Sequence, residues 1–162
     1  MERLLAARLG DAASVGSAGT NAVVGAPIYP LMADWLEWAG VPADGFAARQ
    51  ITSGLINSSD LILTATTAHR SAIVAREAAA LRYTFTLLEF AHAVTRPDAP
   101  PVGGLPAGER IGLLAEYARR ARPRLLVDQD IIDPYGRDDQ VYQQAFALID
   151  EAVAAVAYAL TS

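Results

Sequence analysis

Apolar residues along this chain follow two periods, one suited to strands and one to helices. The run Asp60-Leu61-Ile62-Leu63-Thr64-Ala65 is the clearest buried strand, short, continuous and bounded by polar residues. Tyr83-Thr84-Phe85-Thr86-Leu87 predicts a second strand from its β-branched and aromatic residues. Ala13-Ser14-Val15-Gly16-Ser17, closed by Ala18-Gly19-Thr20, predicts a third that ends in a tight turn. Helical spacing covers residues 2–9, then the stretch opened by Pro27 and Pro30 and stopped by Gly40. It returns at 52–59, 67–81, 89–94, 109–122 and 140–160. Strands that alternate with helices imply an α/β fold with a parallel sheet. The proline- and glycine-rich stretch 95–108 reads as the one long loop of a single domain spanning 1–162.

Composition narrows the chemistry. The chain has 162 residues, 13 basic and 18 acidic, for a net charge of −5, and every basic residue is arginine. With no lysine, Schiff-base chemistry and Walker-type phosphate loops are excluded. With no cysteine, disulfides, thiolate metal sites and thiol nucleophiles are excluded. A pI near 4.9 argues against nucleic acid or an anionic membrane as partner. Charged residues interrupt every apolar run short of the roughly 20 residues that span a bilayer. The start of the chain has neither the apolar core nor the cleavage site of a secretory signal, so a cytoplasmic location is expected.

The acidic stretch 127–136 is the richest in candidate groups. Asp128, Asp130 and Asp133 could together hold a divalent cation, although such runs are more often solvated loops. Leu125-Leu126-Val127-Asp128-Gln129-Asp130 has the local look of a haloacid-dehalogenase-like phosphatase motif. That motif needs a later lysine, and this chain has none. Asp133-Pro134-Tyr135 can be read as an Asp-Pro turn before a helix, or as an acid at the mouth of a pocket beside an aromatic ring. His69 and His92 share no metal-ligand spacing. Ser17 would be a nucleophile only with a base beside it. Trp35 and Trp38 read as packing residues, and Arg119, Arg120, Arg122 and Arg124 as a solvated helix end.

Taken in order, Ser17-Ala18-Gly19-Thr20, Pro27 and Pro30, Ala48-Arg49-Gln50-Ile51-Thr52, Asp60-Leu61-Ile62-Leu63 and Asp133-Pro134-Tyr135-Gly136 resemble the low-molecular-weight protein tyrosine phosphatase family. Each match is short, and five in the right order make the likeness specific. The resemblance implies a three-layer α/β/α fold around a small parallel sheet and hydrolysis of phosphotyrosine, with no cofactor or metal. It implies that a cysteine thiolate attacks phosphorus within a Cys-x5-Arg loop between the first strand and first helix. It makes Asp133 the general acid for the leaving phenolate, Tyr135 an aromatic wall of the substrate cleft, and Ser17 a support of the phosphate loop.

The departures from that pattern bear on activity. Met1-Glu2-Arg3-Leu4-Leu5 resembles the middle of the family's first helix, so the central first strand, the cysteine and the loop arginine have no counterparts here. Phe46 stands where a histidine is common, and Val23 where a tryptophan or leucine is common. The expectation is therefore a phosphatase-like chain that is inactive as written. Its partner, if active, would be a phosphotyrosine protein or a small phosphate ester. The alternatives are a non-catalytic binding or assembly module and new chemistry built on Asp133. Without the central strand, sheet edges are left bare, which invites a homodimer.

Overall fold

The computed structural model describes residues 1–122 and 130–162. Among the described residues seven α-helices and two strands follow in order: α1 (Glu2–Leu9), α2 (Pro30–Trp38), α3 (Ser53–Asn57), β1 (Ile62–Thr64), α4 (Thr67–Arg76), β2 (Thr84–Thr86), α5 (Leu87–Val94), α6 (Ala107–Ala121) and α7 (Asp139–Thr161). The two strands pair in parallel, with Ile62 opposite Thr84, Leu63 opposite Phe85 and Thr64 opposite Thr86. This is the α/β arrangement that the strand–helix alternation predicts, built on a small sheet.

Helix starts follow local chemistry. Thr52, Thr66 and Asp138 each accept a first-turn backbone N–H with a side-chain oxygen, fixing the starts of α3, α4 and α7. Thr86 and Glu89 form a reciprocal capping box, so β2 turns directly into α5 and the predicted strand stops one residue earlier than its apolar pattern does. The expected helix 67–81 divides, because Glu77 leaves helical geometry after Arg76 and a 3-10 turn (Ala78–Arg82) carries the chain to β2. On α7 the buried positions Tyr142, Ala145, Phe146, Ile149, Ala152, Val153, Val156, Ala157 and Leu160 form one stripe. That helix is long and apolar enough to cross a membrane. Here its stripe packs on α1, α2, α5 and α6 as the spine of the core.

The third expected strand is different. Residues 13–17 join no ladder, and nearby the only bridge among the described residues pairs Gly19 with Gln50. A strand needs a neighbour to receive its backbone groups, and this segment has one only at its end. Gly19 donates to Arg49 O at 2.8 Å and accepts from Ile51 N at 2.9 Å, while Arg49 Nε and Nη2 hold Ser17 O at 3.1 and 3.0 Å. Arg49 lies so close across Gly16 that a Cβ there would stand 2.8 Å from its Nη2. No backbone hydrogen bond takes the groups of Ser14, Gly16 and Ala18 among the described residues. Leu125–Val127 and Asp128, with Arg124, lie outside the described residues.

One buried charge ties the sheet to its helices. Glu89 is fully buried; its Oε2 accepts from Arg70 Nη1 at 2.7 Å and its Oε1 from Arg122 Nε at 2.5 Å. Arg122 also donates to Thr84 O at 2.9 Å and lies 4.8 Å from the Phe85 ring centroid. Removing one partner of a buried pair leaves uncompensated charge, typically at a cost of several kcal/mol. Glu89→Ala is expected to lower unfolding stability by about 3 kcal/mol, read as a lower urea midpoint, and Glu89→Gln by less.

Candidate active site

Residues 130–138 are pinned at both ends. At one end Ile131 N donates to Ala65 O at 2.9 Å, just beyond the C-terminal end of β1. Beside it the Asp130 carboxylate accepts from Thr67 N at 2.7 Å and from Thr67 Oγ1 at 3.2 Å, at the first turn of α4. At the other end Asp138 caps α7. The loop is thus held where β1 and α4 meet, by groups that also complete the start of a helix.

Between those anchors the chain turns sharply. Asp133 Oδ1 accepts from Tyr135 N at 3.0 Å, and Arg137 N donates to Pro134 O at 2.9 Å. Gly136 takes φ +73°, a conformation that favours glycine. The turn leaves Asp133 exposed and pushes the Tyr135 ring out to 74% exposure. Tyr29 meets Tyr135 edge to face, with centroids 5.7 Å apart and planes at 72°. Its ring also stacks on Tyr142 at 5.6 Å and 14°. Tyr142 is 2% exposed, and its hydroxyl is buried beside Tyr29 and the Gly136 backbone. Burial, then the neighbouring Tyr29 and more weakly Asp133, push the Tyr142 phenol above its ordinary range, partly opposed by the Gly136 backbone.

Of the residues singled out from the sequence, Asp133 and Tyr135 share one turn. Ser17 is tied elsewhere: its hydroxyl donates to the Glu2 carboxylate at the start of α1, and no hydrogen bond among the described residues joins it to the turn. Asp130, read as a metal-ligand candidate, has its carboxylate engaged with Thr67. No group of three or more metal-ligating side chains forms among the described residues, and Asp128 lies outside them. His69 Nδ1 contacts Thr66 Oγ1 at 2.9 Å within its own helix cap, and His92 is exposed on α5. Trp35 stacks on Phe146 at 5.7 Å, as a packing residue should, while Trp38 is 79% exposed. Tyr29, Tyr142 and the Asp130–Thr67 anchor were missed. The signal for Tyr29 was the Tyr-Pro step, since proline restrains the residue before it.

The family model for low molecular weight phosphotyrosine protein phosphatase matches residues 1–100. Among curated proteins none matches the chain. Solved structures resemble it over nearly its whole length. The tyrosine phosphatase amsI of Erwinia amylovora is 21% identical with a TM-score of 0.72, over 99% of this chain and 83% of that one. Wzb of Vibrio vulnificus, solved with benzylphosphonate, is 25% identical with a TM-score of 0.68, over 97% and 86%. The YwlE arginine phosphatase of Geobacillus stearothermophilus is 23% identical with a TM-score of 0.70, over 97% and 80%.

The Asp130 anchor gives a direct test of how the loop is held. Asp130→Ala should cost about 1 kcal/mol, the usual worth of a helix-start cap, and speed hydrogen exchange at the Thr67 amide. Unchanged exchange at Thr67 would count against this carboxylate as the anchor.

Proposed function

The chain belongs to the low-molecular-weight phosphotyrosine protein phosphatase family, and from that premise we propose that the Asp133–Tyr135 turn is the substrate-facing, leaving-group side of a phosphotyrosine site. Tyr135 would bear on the aromatic part of the substrate. Asp133, exposed beside it, would give its proton to the departing phenolate oxygen as the phosphorus–oxygen bond breaks. Ser17 would support the phosphate-holding side through its neighbours. The substrate would be a phosphotyrosine protein or a small aryl phosphate ester in the cytoplasm.

The observation that carries the reading furthest is a chemical one. These 162 residues contain no cysteine. Thiolate attack forms a sulfur–phosphorus bond, and here there is no sulfur nucleophile to form it. An acid can protonate a leaving group only when something displaces it. The 162-residue chain is therefore read as a phosphatase-like protein without turnover. Purified protein incubated with p-nitrophenyl phosphate from pH 5 to pH 7 should release nitrophenolate no faster than buffer. Turnover above the buffer rate overturns this reading.

A second reading, an assembly module built on the same fold, is favoured by the edge at Ser14–Ala18, where Ser14, Gly16 and Ala18 make no backbone hydrogen bond among the described residues. That edge carries no charge and no proline, the features that usually keep strand edges from pairing. A two-fold pairing of this edge with itself runs the two copies antiparallel, and small uncharged side chains allow that approach. Light scattering should then give twice the chain mass. Ser14→Lys, which puts a charge on the edge, should return it to one chain with unchanged circular dichroism. A monomeric parent protein, or a dimer indifferent to Ser14→Lys, counts against it.

A further inference from the structure

We infer that Tyr29 is a specificity-determining residue of the cleft, forming with Tyr135 a two-ring corner that takes a planar aromatic ring. The inference rests on the reading of the Asp133–Tyr135 turn as the substrate side of the site, and it adds a residue which the family likeness does not supply.

The corner is fixed from behind. Tyr29 opens α2 immediately before Pro30, and its carbonyl accepts from Met32 N at 2.9 Å and Ala33 N at 3.0 Å, so its backbone cannot swing. One face of its ring is covered by Tyr142, nearly parallel at 14°. Because Tyr142 is buried in the α7 stripe, Tyr29 cannot turn inward. The Tyr29 ring is nevertheless 47% exposed and Tyr135 74% exposed, with planes at 72°. Two rings so disposed offer a face and an edge to a third, the arrangement that aromatic quadrupoles favour.

An aliphatic group of the same size gains the contact area without the ring-to-ring geometry. The corner should therefore prefer an aromatic ligand by roughly threefold or more.

The test uses p-cresol, the tyrosine side chain itself, at millimolar concentration with the full chain. Saturation-transfer NMR should show transfer to p-cresol and at least threefold less to cyclohexylmethanol. Tyr29→Leu and Tyr135→Leu should each lower the p-cresol signal several-fold. Tyr29→Phe should keep it, and Tyr158→Leu, which removes an exposed ring elsewhere on α7, should leave it unchanged. Loss of signal in Tyr135→Leu but not in Tyr29→Leu overturns the role of Tyr29 while the reading of the turn stands. Equal transfer to the two ligands overturns the aromatic corner. No transfer in the parent protein, or transfer that ignores Tyr135, overturns both.

Discussion

A buried carboxylate between two arginines is the constraint on which this fold turns. Glu89 sits fully buried at the point where β2 becomes α5, where a carboxylate needs hydrogen-bonding partners. Arg70 reaches it from α4 and Arg122 from the end of α6, so one charge fixes three helices and the sheet in a single arrangement. Apolar packing alone would let those helices slide; the hydrogen-bond geometry at Glu89 sets their register. With α4 fixed, Thr67 is fixed, and with Thr67 the loop that carries Asp133. The path from core to candidate site is therefore short and made of named bonds.

Much of this was legible in the sequence. The run 60–65 and the β-branched stretch after Tyr83 gave both strands, because a short apolar segment between polar residues has few other ways to be buried. The α7 stripe gave the core helix. What the sequence hid was of two kinds. The strand expected at 13–17 depends on a neighbour, and local residue types do not report whether one is present. Glu89 looks like any helix-surface acid, and its burial is visible only once Arg70 and Arg122, distant in sequence, are seen to converge on it.

The site divides in the same way. Asp133 and Tyr135 were found because a dipeptide with turn chemistry stood where a family motif stands. Tyr29 and Tyr142 are separated from it in sequence and meet it only through α2 and α7. Ser17, placed by likeness alone, faces Glu2. A motif carries the residues that define a turn; the rings behind it are set by how whole helices pack.

The turn at Asp133 divides two duties between the atoms of one side chain. Oδ1 holds the Tyr135 amide and so sets the loop's shape, while the structure gives Oδ2 no hydrogen bond among the described residues, leaving that atom for the acid role proposed above. Shape and acidity are thereby separable at a single position. An asparagine there could keep the turn through its amide oxygen and yet have no proton to give, so the loop's form is no witness to whether its chemistry survives.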